Sequence, residues 1–163
     1  MDDSEFIEWV AAHQRPLLRS AYLLSGDLHR AQDLVQDALI KVALRWPRLR
    51  TGHPAAYART IIARDNVSWW RRHHREQPGA ARAEAAQVST DPDTALVVGR
   101  ALDRLTTRQR AVVVLRHFDD LTERETADVL GISVGTVKST NAAALARLRE
   151  GAPELLDLIG RTR

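Results

Sequence analysis

The stretch at residues 122–149 constrains the fold more than any other part of the chain. Thr122 followed three residues later by Glu125 forms a capping box, so a helix is predicted to begin at the residue after Thr122. Gly131 is predicted to end that helix, because glycine adopts the left-handed conformation at little cost. Ser133 then caps a second helix. Two helices joined by a short turn with a glycine predict a helix-turn-helix, whose second helix enters the major groove of DNA.

The outward face of this second helix carries small and hydroxyl-bearing residues and one cation. Small residues let the backbone approach DNA, hydroxyls reach phosphates and base edges, and a lysine neutralises a phosphate. The candidate DNA-contacting residues are Ser133, Gly135, Thr136, Lys138, Ser139 and Thr140. A helical hairpin that merely packs is the alternative. The capping residues, the turn glycine and the polar outer face together favour DNA binding.

Composition indicates an all-α protein without disulfides or a membrane anchor. The 163 residues are 44% hydrophobic and 28% charged, as in ordinary globular proteins, and strand-like alternation is missing almost everywhere. The absence of cysteine excludes disulfides and thiolate metal sites. No apolar run approaches the roughly 18 residues of a transmembrane span. The acidic start MDDSEFIEWV argues against an export signal, so a cytoplasmic location is expected.

The helical pattern divides into two units. Residues 1–76 contain three predicted helices, starting near residues 5, 28 and 54, with a loop at residues 48–53. Pro16 could kink the first helix or open a new one. Residues 77–91 carry no large apolar side chain beyond Val88 and read as a flexible linker. Residues 92–163 contain helices at 92–104 and 108–118, the helix-turn-helix and a last short helix. The predicted fold is therefore two small helical domains joined by a linker.

The third predicted helix is unusual because arginines and tryptophans are interleaved along it. This pattern suits a nucleic-acid backbone together with a base that stacks or is splayed out. The candidate residues are Arg59, Arg64, Trp69, Trp70, Arg71, Arg72 and Arg75. Adjacent helical residues point about 100° apart, so one tryptophan of the pair is expected to be an ordinary core residue.

Catalytic and metal sites find little support in the residues. Asp119 and Asp120 are an acid pair near His117, but such a pair between helices most often caps them at the surface. His73 and His74 are adjacent rather than spaced for a metal. No catalytic residue, metal or cofactor is therefore expected.

Four motifs in order make the chain similar to the extracytoplasmic-function (ECF) sigma factors of bacterial RNA polymerase, and especially to the actinobacterial SigE-type group. The sequence DLVQD at 33–37 resembles the second-region motif that docks on polymerase, and residues 57–75 resemble the segment that opens and reads the −10 element. Residues 105–116 resemble the first half of the fourth region. Residues 130–139 resemble the helix-turn-helix of that region, which reads the −35 element.

The resemblance implies partners and roles. Asp33, Leu34, Gln36 and Asp37 would bind the clamp helices of the beta-prime subunit of core RNA polymerase, whose beta flap is a further expected contact. Promoter DNA would be held at the −10 and −35 elements, without nucleotide hydrolysis. The resemblance also implies regulation by an anti-sigma factor or by transcriptional control. The chain departs from the family after Ser139, where a basic residue is common but Thr140 is found.

A second function class remains open on the sequence alone. A stand-alone helix-turn-helix regulator would explain residues 122–149 but not the tryptophan pair among arginines. Such a regulator would not bind core polymerase, whereas a sigma subunit would.

Overall fold

The computed structural model describes residues 3–73 and 92–161, which form α-helices and one π-helical turn without any β-strand. The all-α prediction is confirmed for this part of the chain, and the predicted linker lies outside the described residues. The elements are α1 (Asp3–Ser25), α2 (Leu28–Ala43), α3 (Trp46–Leu49), α4 (Pro54–His73), α5 (Pro92–Leu102), α6 (Thr107–Val113), the π turn (Val114–Phe118), α7 (Glu123–Leu130), α8 (Val134–Gly151) and α9 (Pro153–Arg161).

The first two helices begin and end largely where the sequence indicates. The chain continues through the exposed Pro16 as a single helix α1, so no second helix begins there. Gly26 has a φ of 73° and turns the chain after α1. Asp27 then caps α2 by accepting a hydrogen bond of 2.7 Å from the backbone N–H of Arg30. α1, α2 and α4 pack against one another to form the N-terminal half.

The segment after α2 differs from the sequence prediction. The sequence predicts a loop at residues 48–53, but the short helix α3 occupies the first part of that range. Trp46 is only 3% exposed, and its ring centre lies 5.1 Å from that of Phe6 and 5.4 Å from that of Trp9. Burying this indole against the start of α1 stabilises the helical turn that carries it.

The C-terminal half follows its capping signals closely. The predicted capping box at Thr122 with Glu125 forms, and a second one forms at Thr106 with Gln109. Gly131 ends α7 in the left-handed conformation with a φ of 65°. The predicted helix at 108–118 is instead divided, because α6 gives way to the π turn at Val114. A π turn holds one extra residue and redirects the side chains that follow it.

The two halves share one apolar core in this conformation. Its buried members include Leu17 and Ile62 from the N-terminal half, and Leu102, Leu115 and Leu155 from the C-terminal half. The sequence predicts two separate modules, whereas here they are in contact. The physical reason is size, because a helical unit of this length buries little apolar surface by itself and docking on its neighbour adds to it.

Two arginines connect the halves in a reciprocal way. Arg110 of α6 is 8% exposed, and its Nε donates a 2.6 Å hydrogen bond to the carbonyl of Leu23 in the last turn of α1. Arg64 of α4 donates to the carbonyls of Asp128 and Val129 in the last turn of α7, at 2.9 and 3.0 Å. The last carbonyls of a helix lack intrahelical partners and attract cations, so each half caps a helix of the other half.

Candidate nucleic-acid interface

The outer face of α8 is largely exposed, as the helix-turn-helix prediction requires. Ser133 accepts a 3.1 Å hydrogen bond from the backbone N–H of Thr136, and the two hydroxyls lie 2.8 Å apart. Ser139 donates to the carbonyl of Thr136 at 3.2 Å. Gly135 is exposed, whereas Thr140 is half-buried. The hydroxyls at the start of α8 therefore order the helix end that points outward, and its backbone remains accessible.

Lys138 is the cation of this face. Its side chain is 64% exposed and its Nζ lies 3.7 Å from a carboxylate oxygen of Glu123 on α7. An exposed pair at this distance contributes little stability, so the lysine can exchange it for a phosphate at small cost. Three residues further along α8, Oδ1 of Asn141 accepts a 3.0 Å hydrogen bond from Nε2 of His117. This hydrogen bond connects α8 to the π turn.

The C-terminal end of α4 carries the exposed arginines. Arg71 and Arg72 are both exposed, and Nε of Arg72 donates to the carbonyl of Ser68 at 3.3 Å. Cations at a helix C-terminus are favoured by the helix dipole. Arg75 lies outside the described residues.

The two tryptophans of α4 are both half-buried, so the prediction that one of them belongs to the core is wrong. Their rings meet edge to face at 5.5 Å, and Trp69 stacks on His73 at 4.5 Å. Trp70 and Arg71 also line a cavity of about 280 Å³ between α4 and the C-terminal half. A half-buried indole combines a fixed position with an accessible edge or face.

The other two predicted arginines of α4 face the C-terminal half. Arg64 donates to the end of α7, as described above. Arg59 lines a second cavity with Arg19, Ser20 and Asp119. Burial raises the pKa of the Asp119 carboxyl above its ordinary value of 3.8, although the 2.6 Å hydrogen bond from Ser20 and the charges of Arg59 and Arg19 lower it in part. The predicted arginine stripe is thus divided between an accessible end and an inter-half contact.

The polar residues of the DLVQD motif lie on the exposed side of α2. Asp33, Gln36 and Asp37 are exposed, whereas Leu34 is 1% exposed and belongs to the core. Leu34 therefore cannot contact a partner directly in this conformation, because the helix must keep an apolar side for packing on α1 and α4.

Sequence reasoning missed three residues near these surfaces. Ile40 is 58% and Leu44 78% exposed, and they continue the exposed side of α2 beyond Asp37. Their helical spacing from Asp37, three and seven residues, was the available signal. Arg30, whose guanidinium carbon lies 4.9 Å from the ring centre of Trp69, had no signal in the sequence.

Comparison with known proteins gives the family. Residues 9–76 match the family model described as Sigma-70 region 2, and residues 95–148 match the one described as Sigma-70, region 4. An RNA polymerase sigma-E factor of Streptomyces avermitilis is 43% identical over 151 residues, covering 90% of this chain and 84% of the relative. The ECF RNA polymerase sigma factor SigM of Mycobacterium tuberculosis is 32% identical and covers 90% of this chain and 76% of its own length.

The chain belongs to the sigma-70 family. The predicted resemblance to the ECF sigma factors is confirmed, and with it the function of a sigma subunit in transcription initiation. The stand-alone regulator is disfavoured, because the region 2 match spans α1 to α4. None of the helices within residues 3–73 and 92–161 combines the length and the hydropathy that a membrane span requires.

Two solved sigma factors share the fold. RpoE of Bartonella quintana, solved in complex with the anti-sigma factor NepR, superposes with a TM-score of 0.69 at 27% identity and covers 89% of this chain and 94% of its own. CnrH, solved with the cytosolic domain of CnrY, superposes with a TM-score of 0.58 at 26% identity and covers 94% of this chain and 88% of its own.

Proposed function

We propose that this sigma factor holds a promoter at two places, with α8 on the −35 element and the C-terminal end of α4 on the −10 element, while α2 docks on core RNA polymerase. The observation that carries this proposal is that three chemically different exposed surfaces coexist on one chain. α8 offers hydroxyls and Lys138, α4 offers Arg71 and Arg72, and α2 offers carboxylates.

The −35 role of α8 is supported by the orientation of its first turns. Ser133 and Thr136 keep the helix start ordered, and Gly135 leaves space for the backbone to approach a groove. Phosphate contact by Lys138 fixes the position on the duplex, and the hydroxyls read base edges. With a single lysine in its outer face, this helix supplies modest, salt-dependent affinity.

The −10 role of α4 is supported by exposed cations beside half-buried indoles. Arg71 and Arg72 hold the phosphate backbone, and the tryptophan pair offers a surface on which an unpaired base stacks. Unpairing and unstacking a base costs a few kcal/mol, which these contacts offset. The contribution of the chain is therefore binding energy for the open strand, with no bond-making chemistry of its own.

The polymerase role of α2 is supported by its acidic side. Asp33 and Asp37 are spaced four residues apart and point to the same side, with Gln36 beside them. Carboxylates on a rigid helix form charge-assisted pairs with basic residues of a partner, and such pairs fix the register of docking. We place this docking in the cytoplasm, where RNA polymerase acts.

An anti-sigma partner is part of the same proposal. Two structural neighbours were solved with partners of that kind, NepR and the cytosolic domain of CnrY. The cavity of about 280 Å³ between the halves, which is lined partly by Val67, Leu130 and Ile132, provides an apolar surface for such a partner. A segment bound there would contact both halves at once.

Run-off transcription with purified core polymerase and pooled genomic fragments tests the proposal. Promoter-dependent transcripts are expected with the natural chain. Asp33→Arg should abolish them and abolish polymerase pull-down, while leaving the affinity of the isolated chain for DNA unchanged. Glu150→Arg, at an exposed position near the end of α8, is the matched charge-reversal control. Absence of any promoter-dependent transcript from the natural chain would contradict the proposal.

A further inference from the structure

Arg30 links the helix that carries the acidic side to the helix that carries the tryptophans. It lies in the first turn of α2, and its guanidinium carbon lies 4.9 Å from the ring centre of Trp69 on α4. Its Nη2 also donates a hydrogen bond of 3.3 Å to the carbonyl of Asp65. A guanidinium at this distance over an indole face is attracted by the ring quadrupole. Arg30 therefore fixes the Trp69 ring from a neighbouring helix.

Trp69 in turn sets the arrangement of the aromatic group around it. His73 stacks on its ring at 4.5 Å with an angle of 17° between the planes, and Nδ1 of His73 lies 2.9 Å from the Trp69 carbonyl. The edge-to-face contact with Trp70 depends on the same ring. A shift of Trp69 would therefore move its aromatic neighbours as well.

The guanidinium of Arg30 is not held by a complete set of hydrogen bonds. Its Nε is buried and has no hydrogen-bond partner among the described residues. Buried donors are usually paired, so an unpaired one beside a ring indicates that the ring contact offsets its loss of water. Burial also lowers the pKa of Arg30, whereas the charges of Asp33, Asp37 and Asp65 raise it.

The two acids that act on Arg30 from its own helix belong to the proposed polymerase surface. Asp33 and Asp37 follow Arg30 by three and seven residues, which places all three on one side of α2. The guanidinium of Arg30 thus lies in the field of the acids proposed to dock on polymerase and also contacts the ring of Trp69, which is proposed to bind promoter DNA. Docking that pairs these acids with a partner changes the field at Arg30 without any movement of the backbone.

We propose that Arg30 is a positioning residue. It holds Trp69, and through Trp69 its aromatic neighbours Trp70 and His73, in a fixed position relative to the polymerase-docking side of α2. Its role in promoter opening rests on the proposed function, whereas its hold on the Trp69 ring does not. Arg30 acts through Trp69 rather than by touching DNA. Loss of the guanidinium should therefore weaken promoter opening without weakening attachment to polymerase.

The first test measures the tryptophan ring directly in the full-length chain. The indole N–H resonances of Trp9, Trp46, Trp69 and Trp70 can be assigned with single Trp→Phe variants. Arg30→Gln should shift the Trp69 resonance and leave those of Trp9 and Trp46 in place, and Arg30→Lys, which keeps a cation, should restore part of the shift. Lys41→Gln is the matched control, because Nζ of Lys41 bridges the same helices by a 2.7 Å contact with the Asp65 carboxylate.

The second test separates opening from docking. Arg30→Gln should reduce open-complex formation roughly fivefold, the factor that corresponds to one cation–π contact. Its affinity for core polymerase should stay within about twofold of the natural chain, and it should add no further loss in a Trp69→Ala background, as expected for coupled residues.

Three outcomes would overturn the inference. They are an unshifted Trp69 resonance in Arg30→Gln, a shift or opening defect no larger than that of Lys41→Gln, or a loss of polymerase affinity that accounts for the opening defect. The proposed function has its own test in Trp69→Ala. If that change weakens opening while Arg30→Gln does not, the inference alone fails. If Trp69→Ala leaves opening unchanged, the −10 role of the tryptophan fails.

Discussion

The outer face of α8 and the predicted arginine stripe of α4 differ in how much of their positive charge is free of contacts with the rest of the folded chain. α8 has a single exposed lysine, held only by a weak pair with Glu123. α4 has more arginines, but Arg64 donates hydrogen bonds to the end of α7 and Arg59 lies beside the half-buried Asp119. The number of cations in a helix therefore overstates what it can offer DNA, because some of them hold the two halves together.

The same comparison applies to what each surface requires before it can bind. The outer face of α8 needs no rearrangement, since Gly135, Lys138 and Ser139 are already exposed. At the C-terminal end of α4, Arg71 and Arg72 are exposed. In the middle of α4, Arg64 stays hydrogen-bonded to α7 as long as the two halves are in contact. Separation of the halves would release the guanidinium of Arg64 from its hydrogen bonds to α7 and would leave the outer face of α8 unchanged.

The largest expected effect follows from removing the link that holds the halves. Arg110→Ala leaves the Leu23 carbonyl and Asp103 without the guanidinium that now bonds both, at 2.6 and 3.1 Å. Because the Leu23 carbonyl loses a charge-assisted hydrogen bond at a buried site, the free energy of unfolding should fall by about 2 kcal/mol. Urea unfolding measures this, and small-angle scattering should show an expanded chain. Arg108→Ala, at an exposed site of the same helix, should stay within about 0.5 kcal/mol. Equal free energies of unfolding for the two variants would show that Arg110 does not stabilise the contact between the halves.

The next effect distinguishes the two surfaces by their salt dependence. Arg71→Ala combined with Arg72→Ala should weaken open-complex formation and reduce the slope of log affinity against log salt by about 2, because two phosphate contacts are lost. Lys138→Ala should reduce the slope by about 1 and weaken duplex binding while leaving polymerase affinity intact. Arg15→Ala, an exposed arginine of α1, is the control and should leave the slope unchanged. A slope that is unaltered in the double variant would exclude these arginines as phosphate contacts.

A smaller effect concerns the half-buried carboxyl of Asp119 beside Arg59. Because burial raises the pKa of Asp119, its neutral form is favoured by the folded state. Its contribution to stability is therefore fully present below the ordinary pKa of 3.8 and is lost as the pH rises through the raised value. Asp119→Asn keeps an acceptor for Ser20 and stays neutral at every pH, so it should be more stable than the natural chain at pH 7. This difference, measured by urea unfolding, should shrink as the pH falls. A difference that is constant with pH would contradict the expectation.

The local parts of this fold could be predicted from the sequence, and the long-range parts could not. Both capping boxes, the left-handed Gly131 and the Asp27 cap depend on residues within four positions of one another. By contrast, Arg110 and the carbonyl of Leu23 are 87 positions apart. Helical periodicity says which side of a helix is apolar but not which neighbour covers it, so the shared core and the engagement of Arg64 were not predicted.

The burial of the candidate site residues shows the same division. The exposure of Asp33 and Asp37 follows from the helical pattern of α2, whereas the half-burial of both tryptophans does not follow from that of α4. Trp69 lies at the contact between α2 and α4, where Arg30 covers part of its ring. A sequence pattern cannot reveal a ring contact made by another helix, so the prediction of one core tryptophan failed.

Arg64 provides the finest test of the comparison, because the sequence predicts a DNA contact and the folded chain holds it elsewhere. Arg64→Ala removes two hydrogen bonds to the end of α7 at an exposed site, which should lower the free energy of unfolding by about 1 kcal/mol. If the guanidinium binds a DNA phosphate once the halves separate, the salt slope of open-complex formation should also be lower by about 1 in Arg64→Ala. Thr60→Ala, which removes a single exposed hydroxyl from the same helix, is the control. A loss of stability with an unchanged slope would assign Arg64 to the contact between the halves alone, and the arginines of α4 that contact DNA would then lie entirely at its C-terminal end.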